Sequence, residues 1–272
     1  MIRVSAPPDT PRGAFGLLSW RINVAVVAIL LALSALAWRS TVEQAHAMRY
    51  MAMGLGQIGV LMPGVMSPLH FLAMWATMMA AMMLPAVAPM ALAHLVTARR
   101  RGDGFAATAA FVAGYLAIWA ALGVVPLLAY LPLEQVGDEV AGSGWLPALA
   151  GTVLIAAGVY QFTAWKRTCL DKCRSPFAFL VLHDFGSGAR GALRAGAAHG
   201  VYCAGCCVAL FSVLLVVGLM NLLWMTALFL LVLIERAWRH GPVVGKLAGA
   251  ALVLLGGAIL ARPALLFLVA SM

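Results

Sequence analysis

The residues with the most chemistry per position lie between His199 and Cys207. The stretch reads His199, Gly200, Val201, Tyr202, Cys203, Ala204, Gly205, Cys206, Cys207, and it holds three of the five cysteines. On a helix, residues three and four apart share a face. His199, Cys203, Cys206 and Cys207 then form one stripe of soft ligands inside an apolar run. Cys169 and Cys173 are also four apart and stand just upstream. Thiolates select copper(I), zinc(II) and iron–sulfur centres. Two cysteine groups on separate segments can supply four sulfurs to one ion. Lys166, Arg167, Lys172 and Arg174 crowd the upstream pair and favour thiolate. Two other uses remain open: thiol–disulfide exchange with a quinone, and packing by a small side chain in a helix bundle.

Methionine supplies a second soft pattern. Met74, Met78 and Met82 recur every four residues, and Met79 and Met83 form the adjacent stripe. Thioethers suit copper(I), so Met78, Met79, Met82 and Met83 are candidate ligands along a route. Methionine is equally a flexible filler of apolar cores. Pro85 and Pro89 interrupt the same helix and free backbone carbonyls, which in a membrane need a partner. Glu235 is an ionisable residue at the end of an apolar run. It is a candidate hard ligand or proton acceptor, or one half of an ion pair with Arg236, Arg239 or Arg194.

The elements that must position these residues follow from composition. The chain has 272 residues, 64% hydrophobic and 10% charged, with mean hydropathy +0.99. Soluble domains carry about a quarter charged residues. Several apolar runs reach the roughly 20 residues that cross a bilayer. The fold class expected is all-α, a polytopic transmembrane helix bundle with seven spans at about 22–38, 69–93, 105–131, 145–165, 195–219, 222–237 and 243–260. Residues 1–20 read as a disordered cytoplasmic lead and 21–272 as one transmembrane domain. The first span is expected to stay as an anchor, although Ala35, Leu36 and Ala37 resemble a signal cleavage site.

Charge sets the expected orientation. With the N-terminus cytoplasmic, the inner segments hold Arg3, Arg12 and Arg21; Arg99, Arg100 and Arg101; Lys166, Arg167, Lys172, Arg174, Arg190 and Arg194; and Arg236, Arg239 and Lys246. That is 15 of the 18 Lys and Arg. Glu134, Asp138 and Glu139 fall outside, as does a Met-rich loop with Met48, Met51, Met53, Met62 and Met66. All five cysteines then face a reducing compartment, where lasting disulfides are rare. Cys203, Cys206 and Cys207 are expected one to three turns into the fifth span. The +9 net charge reflects these inner loops and not a nucleic-acid surface. Gly186, Gly188 and Gly191 match a dinucleotide-binding pattern but lack the strand it requires. No nucleotide-binding or phosphorylation motif accompanies the spans. Gly245, Gly249, Gly256 and Gly257 mark close helix packing in the last span.

These blocks resemble a bacterial family described as predicted metal-binding integral membrane proteins. The resemblance rests on Met74, Met78, Met79, Met82 and Met83 before Pro85; on Cys169 and Cys173 before Pro176; and on Cys203, Cys206 and Cys207 followed by Asn221, Trp224 and Glu235. It covers residues 69–257. It implies a multi-pass bacterial inner-membrane protein that binds metal. The combined reading is a non-enzymatic handler of a metal ion, copper(I) foremost and zinc second. Its expected partners are the lipid bilayer, a metal-receiving membrane enzyme or metallochaperone, and another copy of itself.

Overall fold

The computed structural model describes residues 12–47, 67–135, 145–182 and 186–271. The Met-rich loop, Asp138 and Glu139 lie outside them, as does the side chain of Glu134. Every regular element among the described residues is a helix. In chain order they are α1 (Arg12–Ala47), α2 (Pro68–Arg100), α3 (Phe105–Leu122), α4 (Val124–Gln135), α5 (Trp145–Tyr160), α6 (Ala164–Arg174), α7 (Pro176–Leu182), α8 (Gly188–Val217), α9 (Leu222–Ala237), α10 (Gly241–Ala261) and α11 (Leu265–Ser271).

Among the described residues, five helical stretches are long and apolar enough to cross a membrane: those of α1, α2, α3 running into α4, α8 and α10. A sixth arises if α5 and α6 count as one span bent by 61°. The expectation of seven spans differs at two places. The fourth breaks at residues 161–163, and α9 has only 16 residues, about 24 Å of helix. The chain between 166 and 194, read as a polar loop, holds α6, α7 and the first turns of α8. Its polar composition hid a helix with a proper start. Thr163 sits before α6 in extended conformation, and its hydroxyl accepts from Lys166 N at 3.2 Å, the usual N-cap.

Small residues set the closest approaches. At Gly158 on α5 a methyl group would fall 2.7 Å from Val253 Cγ2 of α10, and at Gly249 of α10 it would fall 2.8 Å from Gly158 O. With no side chain at either position, α5 and α10 lie backbone to backbone. Gly257 faces open space and takes no part. Gly218 closes the turn after α8 at φ +110, where a side chain is strained. Asn221 then caps α9 by accepting from Trp224 N.

The prolines of α2 are accommodated without breaking it. Pro85 removes the N–H that Ala81 O would receive in a regular helix. Ser34 of α1 supplies the missing donor, with Oγ 2.7 Å from Ala81 O. This buried bond joins the first helix to the bundle beside Val26 and Leu30, which pack on Leu84, Ala88, Ala91 and Leu95. Ser34→Ala is expected to cost about 0.6 kcal/mol, typical of a bond between membrane helices. A thermal melt of the detergent-purified chain measures it.

Candidate metal centre

The break after α5 turns α6 back against the middle of α8. Lys166, Cys169 and Leu170 form the buried side of α6. On α8, Cys203, Cys206 and Cys207 are all buried. The two segments meet through sulfur: Cys173 Sγ lies 3.9 Å from Cys206 Sγ, and Cys206 Sγ lies 3.4 Å from Cys207 Sγ. All five cysteines are free thiols. Cys203 stands about four turns past Gly188. The group therefore sits near the middle of α8.

Two neighbours complete the cluster, and sequence spacing pointed to neither. Tyr115 of α3 has its hydroxyl 2.9 Å from Cys203 Sγ. Arg236, in the last turn of α9, directs Nη2 at three sulfurs: 2.7 Å from Cys203 and 3.4 Å from both Cys206 and Cys207. Arg236 follows Glu235 in sequence, but the two side chains serve different helices. Glu235 turns to α6, where Lys166 Nζ donates to its Oε1 at 2.5 Å. Lys166 and Glu235 are 3% and 1% exposed, so the pair is fully desolvated. Lys166 also donates to Gln161 Oε1, and Arg174 Nη1 donates to Glu235 O at 2.5 Å. The partner of Glu235 is thus Lys166, not Arg236, Arg239 or Arg194. The last turn of α9 clasps α6 through Glu235 and α8 through Arg236.

The other candidates take distinct places. Cys169 points at the backbone of α8, where a methyl group on Gly205 would fall 2.7 Å from its Sγ. Gly205 is kept bare by that approach, and its carbonyl accepts from Tyr160 Oη. His199 is buried in an aromatic box: it stacks on Tyr115 at 5.6 Å and meets Phe179 edge-on at 5.5 Å. Its Nδ1 has no hydrogen-bond partner. Met78, Met79, Met82 and Met83 are each 1% exposed or less and lie in the same core as the thiols. Among the described residues no group of three or more His, Cys, Asp or Glu is arranged to hold a metal as it stands. At the three sulfurs of α8 the guanidinium of Arg236 takes up part of the space between them.

The arrangement offers soft donors and one fixed cation in an apolar surrounding. Residues 72–259 of the 272 match a family described as PpoB2, copper chaperone. The chain belongs to that family. Copper handling in general is therefore its business, and the matched region contains every helix that contributes to the sulfur cluster, from α3 to α9. No curated protein and no solved structure matches the chain.

Proposed function

We propose that this copper chaperone is an integral membrane protein of the bacterial inner membrane that holds copper(I) between α6 and α8 and delivers it to a receiving protein. Cys173, Cys206 and Cys207 are the main ligands, with Cys203 beside them. The observation that carries this is the 3.9 Å separation of Cys173 Sγ and Cys206 Sγ, from residues 33 apart in sequence. Three sulfurs around one ion at metal–sulfur distances near 2.3 Å stand roughly 3.8–4.0 Å from one another. Soft thiolates in a buried site select copper(I) over harder ions.

Delivery fits the placement of Cys173. It is only partly buried, whereas Cys203, Cys206 and Cys207 are sealed in the core. An acceptor thiolate reaches the ion most readily from the side of Cys173. Transfer is then stepwise ligand exchange: an acceptor thiolate binds copper, Cys173 leaves as thiolate and takes a proton from water, and the same exchange at Cys206 and Cys207 frees the ion. No electron moves. Cys169, one turn back on α6, is the next sulfur along that helix, and His199 is an accessory donor one turn before Cys203. Glu235 acts through Lys166, holding α6 in place, rather than as a ligand.

Copper analysis of the purified full chain loaded with copper(I) tests the proposal. About one tightly held ion per chain supports it; none retained against a weak chelator refutes it. The methionines of α2 are expected to contribute packing and a soft approach, not the binding site. Met78→Leu with Met82→Leu conserves volume, a change that costs under ~1.5 kcal/mol. Copper stoichiometry of that variant is expected to equal wild type, measured by elemental analysis.

A further inference from the structure

Arg236 stands out among the residues around the thiols. Its Nη2 is within hydrogen-bond reach of three sulfurs at once. Its Nε is buried with no partner. The neighbouring cations are committed elsewhere, Lys166 to Glu235 and Gln161, and Arg174 to the Glu235 carbonyl. A guanidinium cannot lose its proton in a protein, so a full positive charge is fixed at the sulfurs.

That charge matters for a loaded site. Copper(I) taken by the thiols of Cys173, Cys206 and Cys207 forms three Cu–S bonds and releases three protons to water, leaving a centre of charge −2. In an apolar interior an uncompensated charge is strongly disfavoured. We propose that Arg236 is the counter-ion of the copper–thiolate centre: it stays at the site on loading, donates to the metal-bound sulfurs, and offsets one of the two negative charges. The geometry supports donation to sulfur, because one nitrogen already serves Cys203, Cys206 and Cys207 together. A point charge is what the site needs, so an ammonium with its three donors is a workable substitute. This inference rests on the copper(I) reading above.

The test is copper(I) affinity of the full chain in detergent, by competition with a chromophoric copper(I) chelator. R236Q removes the charge and keeps a donor. Groups that hydrogen-bond metal ligands typically contribute 10–100-fold to affinity, and R236Q is expected to bind about that much more weakly at unchanged stoichiometry. R236K is expected to lie closer to wild type than to R236Q. Unchanged or tighter binding by R236Q, with wild type binding normally, overturns the counter-ion role and leaves the thiol site standing. Failure of wild type to bind overturns the copper reading itself. If R236Q does not fold, R236K decides: a loss under about tenfold supports the role, and a larger loss contradicts it.

Discussion

Replacing Cys206 and Cys207 together by serine is expected to abolish tight copper(I) binding. The two sulfurs stand 3.4 Å apart, and Cys206 is also the one that reaches Cys173 across the helix gap. Serine oxygen is a hard donor and does not replace a thiolate for a soft ion. The remaining thiols, Cys169, Cys173 and Cys203, are then divided between α6 and one position on α8. The expected readout is loss of chelator-resistant copper from about one ion per chain to none. The fold should persist, because a cysteine-to-serine change removes little volume, and the serine hydroxyl can donate to a carbonyl as Cys206 Sγ does now to Cys203 O at 3.1 Å. Full copper retention in this variant would remove the thiol site from consideration.

The second large effect concerns the clasp. Lys166 and Glu235 form an ion pair that is almost completely buried. Removing one member leaves a desolvated charge, which costs about 3–5 kcal/mol. Lys166→Met and Glu235→Leu are each expected to destabilise the chain by that amount and to detach α6 from α9. The pair is a positioning device, so the double variant is the informative one. Replacing both partners by apolar residues of similar size is often neutral, and the double variant should recover most of the stability. Its copper affinity reports whether α6 alone can still present Cys173. Thermal melts and copper competition on the three variants give the comparison. Additive loss in the double variant would show that the two side chains act independently.

These expectations differ in how far the amino-acid sequence reveals them. An all-helical bundle with helices able to span a membrane is legible because run length and low charge leave few alternatives. The break at 161–163 is not. Residues 145–165 are apolar enough to read as one span, and the Thr163 cap is a local signal easily lost against that background. Once the chain turns there, α6 lies alongside α8 instead of leaving the bundle as a loop. Its polar face, with Arg167, Asp171 and Lys172, had suggested a connection. Its opposite face carries Cys169, Leu170 and Cys173 at helical spacing, and that was the available clue.

The thiols themselves are legible by type and spacing, since both groups follow the three-to-four residue period. Arg236 and Tyr115 are not. Helical periodicity tells which residues share a face, but not which neighbouring helix that face meets. Glu235 and Arg236 are adjacent, point about 100° apart on a helix, and so reach different partners. Lys166 could be assigned to Glu235 only after the turn at 161–163 was placed. Pro85 is the instructive middle case: its missing N–H predicts an unsatisfied carbonyl at Ala81, and only the packing of α1 on α2 identifies Ser34 as the donor.

The most direct measurement is the sulfur count around bound copper, by X-ray absorption at the copper edge on wild type and on Cys173→Ser. A site shared between α6 and α8 gives an all-sulfur shell in wild type and one sulfur fewer in the variant, with faster loss of copper to a chelator. An identical shell and identical retention in Cys173→Ser would contradict it, because copper would then be held by α8 alone.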